Sequence, residues 1–138
     1  MNEMVFQGHP GIGPKVTGKA LVAHDNFSAR YDLDRIKGVF SRAAHKLYGE
    51  NYVDKVLVLN TAKGGVATSW MLYTMKETAL APAAILFNFC NPIMAQGAAF
   101  ADLALVDRFD VDITEVIQTG DEVTVDPASG TITVRRGA

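Results

Sequence analysis

KVLVLNTAKGGVATSWMLYTMKETALAPAAILFNF, residues 55–89, decides the fold. Residues 55–60, KVLVLN, are a short run of branched apolar side chains, the pattern of a strand covered on both faces in a parallel sheet. Residues 67–78 change to a helical period, with Trp70, Tyr73 and Lys76 on one line and Met71, Leu72 and Met75 packing inward. Residues 83–89, AAILFNF, form a second buried strand. Strand, glycine turn, helix and strand make one right-handed crossover unit. The turn from Lys63 to Trp70 therefore sits at a strand's C-terminal end, where an open α/β sheet presents its ligand crevice.

The chemistry of that turn suits an anion. Gly64 and Gly65 let the backbone approach a ligand closely, and the free amides and dipole of a helix start attract a carboxylate or phosphate. Lys63 adds a positive charge, and the hydroxyls of Thr68 and Ser69 add hydrogen bonds. The plainer account is a tight turn whose Thr68 or Ser69 only caps the helix.

Outward from this unit, Asn91-Pro92 starts a short helix with proline in its first turn, and residues 103–106 make a brief strand. Residues 122–126 and 131–135 alternate inward and outward around PASG, which reads as a hairpin. Before the unit, residues 16–24, VTGKALVAH, have strand composition. Residues 25–34 read as an irregular loop in which Asp25, Asn26, Ser28, Arg30 and Asp32 gather polar groups that face substrate, a partner or plain solvent. Residues 1–14 are rich in glycine and proline and lack a hydrophobic period, so they are expected as a flexible lead-in to a single domain over residues 15–138. Gly11, Gly13 and Pro14 complete neither a GxGxxG nor a Walker A spacing. The expected architecture is an α/β domain with one βαβ unit and a partly antiparallel, barrel-like sheet built from the N-terminal strand and the C-terminal hairpin.

Composition narrows the function classes. The chain has 138 residues, 49% of them hydrophobic and 20% charged, and a net charge of -2, which gives no electrostatic footprint for nucleic acid or an anionic membrane. The N-terminus lacks a basic region followed by a long apolar run, and the longest apolar stretch, residues 79–89, is interrupted by Pro82, so a cytoplasmic location is expected. The single cysteine, Cys90, cannot hold an iron–sulfur cluster and reads as a small buried residue. His9, His24 and His45 show no metal-ligand spacing. His45 has a pKa range suited to carrying a proton, although a hydrogen-bonded structural histidine is the commoner case. No GxSxG elbow surrounds Ser69.

Several segments in one order, GKALVAHDNFSARYD (18–32), HKLYGENYVDKVLVLNTAKGGVATSW (45–70), APAAIL (81–86), QGAAFADLALVD (96–107) and TGDEVTVDPASGTITV (119–134), resemble the small subunit or swivelling domain of aconitase X proteins. The resemblance covers nearly the whole chain. It implies a swivelling β/β/α fold like the mobile fourth domain of aconitase, and a cytoplasmic hydro-lyase subunit inactive alone. The partner it implies is the large aconitase X subunit, which carries the iron or iron–sulfur cluster, so this chain binds no cofactor by itself. Substrates implied are small hydroxy acids, cis-3-hydroxy-L-proline or mevalonate 5-phosphate. Related swivelling domains offer a serine at this turn as the base for proton removal. Archaeal-type small subunits look like GKGSTVGSY here: Lys63 and Gly64 match, Gly65 stands where their first serine is, and Ser69 matches their second. The resemblance thus makes Ser69 the catalytic residue, with Lys63, Gly64, Gly65 and Thr68 binding substrate. Ser28, Arg30, Asp32 and His45 form an interface or substrate loop. The Gly65 departure favours cis-3-hydroxy-L-proline over mevalonate 5-phosphate. A non-catalytic anion-binding or regulatory module, or a surface that only seals a partner's core, are the alternatives.

Overall fold

Side chains alternate across a strand, so a central strand with apolar residues on both faces must feed two cores. From the N-terminus the chain forms β1 (Asn2–Gln7), β2 (Val16–Val22), β3 (Asn26–Phe27), β4 (Leu33–Asp34), β5 (Val39–Phe40), β6 (Val56–Ala62), α1 (Val66–Glu77), β7 (Ala84–Phe89), α2 (Pro92–Ala101), β8 (Ala104–Asp107), the single-turn α3 (Ile113–Val116), β9 (Glu122–Asp126) and β10 (Thr131–Arg136). The computed structural model describes residues 2–29, 31–63 and 66–136, with the side chains of Asn2, Val66, Ala67, Thr68 and Ser69 outside that description.

The main sheet runs β1-β10-β9-β2-β6-β7-β8, and β3 pairs with the end of β6. Pairing is parallel among β2, β3, β6, β7 and β8 and antiparallel among β1, β10, β9 and β2. Val56, Val58, Ala84, Leu86, Ala104 and Val106 point into one core with Val123, Val125, Ile132 and Val134 of the hairpin. Leu57, Leu59, Ile85, Phe87 and Leu105 point the other way, onto Leu72 and Met75 of α1 and Met94, Ala98 and Ala101 of α2. The three layers are therefore hairpin sheet, parallel sheet and helix pair, which is the β/β/α arrangement of a swivelling domain. Asn91 caps α2 by accepting the Met94 N–H at 2.8 Å, with Pro92 in the first turn.

The N-terminal segment differs from its expected loose lead-in. β1 pairs along its length with β10, from Asn2 opposite Arg136 to Gln7 opposite Thr131. Gly8 then donates to the Gly130 carbonyl at 2.8 Å, and Ile12 exchanges hydrogen bonds with Leu105 of β8 at 2.9 Å each way. These bonds tie the two ends of the sheet together and give it its barrel-like closure. Glycine is needed for this closeness, since a Cβ on Gly11 would lie 2.0 Å from the Leu105 carbonyl oxygen. The expected irregular loop over residues 25–34 also proves more ordered, contributing β3 to the parallel sheet and β4 to a small hairpin with β5.

Candidate functional site

The AKGGVATSW segment runs from the end of β6 into α1 at the C-terminal edge of the parallel sheet, and β3 pairs with the end of β6. Lys63 donates its backbone N–H to the Phe27 carbonyl at 2.7 Å, which fastens the start of the turn to the strand that leads into the 28–32 loop. Gly64, Gly65 and Arg30 lie outside the described residues. Thr68 and Ser69 fall among the first four residues of α1, and their side chains lie outside the described residues. The first amides of a helix have no partner within it, and the first turn of α1 carries no acidic side chain to offset the positive end of the dipole.

Ser28, Tyr31, Asp32, Arg42 and Lys63 line a cleft of about 410 Å³. The fold thus brings together three residues expected at the site, Ser28, Asp32 and Lys63, that are up to 35 positions apart in the chain. It also adds Arg42, which the sequence reading did not single out. Asp32 is the hub. Its carboxylate is buried, accepts the Ser28 N–H at 2.8 Å through Oδ2, and meets the Arg42 Nε at 2.6 Å through Oδ1. The Ser28 carbonyl accepts the Asp32 N–H at 3.0 Å, closing the loop on itself. The Arg42 side chain remains 42% exposed, so the Asp32 contact through Nε fixes the guanidinium while much of it faces outward. Lys63 is exposed, and its ammonium has no hydrogen bond or ion pair among the described residues.

His45 stands behind this cleft rather than in it. The ring is buried, stacks on Phe40 with centroids 4.7 Å apart, and uses both nitrogens. Nδ1 accepts the Leu47 N–H at 3.0 Å, which assigns the proton to Nε2, and Nε2–H donates to the Asn26 carbonyl at 2.8 Å. With both ring nitrogens hydrogen-bonded to backbone groups, the imidazole braces the loop that carries Asn26 and Leu47. Asp25 sits nearby, its carboxylate accepting the Asn26 N–H at 2.8 Å and the Lys46 N–H at 3.1 Å. Burial pushes its pKa up, but these amides, joined by the charge of Arg42, outweigh it and hold Asp25 below the ordinary 3.8.

A second polar cluster lies across the same sheet edge. Asn88 donates to Asn60 at 3.1 Å and to Asp112 at 2.8 Å, and accepts the Ile113 N–H at 2.8 Å. Asp112 also accepts the Thr114 hydroxyl at 2.6 Å and amide at 3.0 Å, and His24 Nδ1 lies 2.9 Å from that hydroxyl. This cluster ties α3 to the ends of β6 and β7. Cys90 is buried as expected, and burial together with the Asp107 carboxylate pushes its thiol pKa up to about 12, far from thiolate chemistry. Among the described residues no three histidine, cysteine, aspartate or glutamate side chains converge as metal ligands.

Known proteins bear out the fold. The aconitase X swivel domain profile matches residues 5–134. The phosphomevalonate dehydratase small subunit of Methanocella arvoryzae is 36% identical over 129 residues, 94% of this chain and 98% of that one. That of Thermococcus sibiricus is 34% identical over 131 residues, 95% of this chain and 98% of that one. The crystal structure of Thermococcus kodakaraensis aconitase X in its holo form superposes with a TM-score of 0.89 at 28% identity, covering 96% of this chain and 99% of that chain. A UPF0107 protein solved in solution by NMR gives a TM-score of 0.86 at 28% identity, covering 96% of this chain and all of the other. With its β/β/α layers and a family match over nearly its full length, the chain belongs to the aconitase X swivel domain family, as a member similar to phosphomevalonate dehydratase small subunits.

Proposed function

We propose that this chain is the small subunit of a cytoplasmic hydro-lyase that removes water from mevalonate 5-phosphate and that it closes an active site whose other half lies on a large aconitase X subunit. The observation that carries this reading is end-to-end similarity to phosphomevalonate dehydratase small subunits, at 36% identity over 94% of the chain. The same similarity ranks this substrate above cis-3-hydroxy-L-proline, which the Gly65 departure alone favoured. Position supports it too, because the glycine turn and a cleft bearing Lys63 and Arg42 share the sheet edge where ligands of α/β folds bind.

In the proposed reaction Ser69, as alkoxide, takes the proton from the carbon next to the hydroxyl-bearing carbon. The C–H electron pair becomes the new double bond, the C–O bond breaks, and the hydroxyl leaves as water after taking up a proton. A serine hydroxyl is a weak base unless its anion is stabilised. The amides and dipole at the start of α1, with Gly64 and Gly65, supply that stabilisation, and Lys63 and Thr68 hold the substrate's anionic groups. Ser28, Arg30, Asp32 and His45 shape the loop that faces substrate and partner. The iron or iron–sulfur cluster that the resemblance implies would be held by the large subunit. Among the described residues the donors of this chain do not fit such a group: Cys90 is a buried thiol of raised pKa, and Asp25 and Asp32 are engaged by backbone amides and Arg42.

Co-expression with the large subunit, followed by assays on mevalonate 5-phosphate and cis-3-hydroxy-L-proline, tests the reading. Dehydration of the phosphorylated substrate that Ser69→Ala abolishes is the expected result. Turnover of hydroxyproline alone would refute the substrate assignment, and full activity of Ser69→Ala would refute Ser69 as the base.

A further inference from the structure

Arg42 has no motif around it, yet the fold brings it together with Lys63 in the lining of one cleft. Its Nε is held at 2.6 Å by Asp32, a carboxylate that is itself fixed in a buried position by the Ser28 N–H at 2.8 Å. A guanidinium held on one side in this way retains its Nη donors in a set direction, so little side-chain freedom is lost when an anion arrives. Lys63 adds an exposed, rotatable ammonium to the same lining, and Ser28 adds a hydroxyl. Asp32 and Arg42 neutralise each other, and Lys63 leaves the cleft with a net positive charge among the described residues.

We infer that Arg42, positioned by Asp32, binds a phosphate group in this cleft together with Lys63, and that it is the residue through which this chain recognises the phosphorylated end of the substrate. Donors from two cationic side chains and a hydroxyl in one cleft suit a tetrahedral group with three terminal oxygens. A planar carboxylate would be satisfied by the Arg42 edge alone. Arg42 is a binding residue here, and Asp32 is a positioning residue that acts through it. The identity of the phosphate carrier rests on the proposed phosphomevalonate reading; the phosphate site itself rests on the cleft.

Two experiments keep these apart. Titrating the full chain alone with inorganic phosphate, followed by amide NMR, is expected to move the signals of Ser28, Arg42 and Lys63, with acetate binding at least about tenfold more weakly. Arg42→Met is expected to reduce phosphate affinity at least about tenfold and Arg42→Lys by only a few fold, with the rest of the spectrum unchanged as evidence of folding. Phosphate shifts that persist in Arg42→Met, or acetate binding as tightly as phosphate, would overturn the inference. In the reconstituted complex, Arg42→Met is expected to raise the KM for mevalonate 5-phosphate at least about tenfold while kcat stays within about threefold. Asp32→Asn should raise KM less. An unchanged KM in Arg42→Met, with dehydration intact, would overturn the inference and leave the proposed function standing. Arg42-dependent phosphate binding in a complex that does not dehydrate mevalonate 5-phosphate would support the site and overturn the proposed function.

Discussion

Two polar clusters share the C-terminal edge of the parallel sheet, and they differ in what their hydrogen-bonding groups have left to offer. Around Asn88 the side-chain amide donates twice and accepts once, and Asp112 Oδ1 accepts from Asn88 and twice from Thr114. The bonds are internal, and their effect is to pin α3 over the barrel. Around Asp32 one carboxylate is similarly engaged, but its engagement leaves Arg42 turned partly outward, with Lys63 exposed in the lining of the same cleft. Both look like clusters of mixed polar residues in a sequence. Among the described residues the second, unlike the first, sets two cationic side chains, Arg42 and Lys63, in the lining of one cleft, which is what an anion site requires.

The sharpest way to break this comparison is to remove each cluster and ask what is lost. Asn88→Leu leaves the Asn60 Oδ1 and the Ile113 N–H without this partner and removes one of the three hydrogen bonds to Asp112 Oδ1, and it should lower stability by about 3 kcal/mol in urea unfolding, because each orphaned polar group costs about 1 to 3 kcal/mol. Phosphate binding by the folded fraction should be unaffected. Acid sharpens the same point. Thr114 hydrogen bonds, opposed by burial and joined by Asn88 and the charge of His24, hold Asp112 below its ordinary 3.8. A depressed folded pKa contributes stability above the unfolded value and loses it as pH falls through the folded one. The urea midpoint should therefore drop as pH falls below the ordinary 3.8, and the drop should be smaller in Asp112→Asn. The smallest stability effect belongs to the cleft: Lys63→Met should change unfolding by less than about 0.5 kcal/mol, as exposed substitutions do, while weakening phosphate binding.

The sequence made the crossover unit, the hairpin and both long helices legible, because residues 55–89 and 122–135 keep clean periods and because alternation in β6 and β7 demands a cover on each face. The N-terminal strand was hidden. Glycine and proline in residues 8–14 signal loose chain in general, yet Gly11 is small here because Leu105 lies against it, and composition does not separate these cases. The turn at Lys63 was legible from its place between strand and helix. Arg42 was not, since SRAAH carries no motif and its role depends on a buried aspartate ten residues earlier that only the folded loop brings beside it. His45 was readable as a structural residue or a proton carrier, and its two ring contacts favour the first.

The central claim is that this chain completes a dehydratase site it does not hold alone. The most direct measurement is water loss from mevalonate 5-phosphate by the large subunit alone, by this chain alone, and by the two together. Turnover is expected only for the pair, and Ser69→Ala is expected to abolish it. Equal turnover by the large subunit without this chain would contradict it.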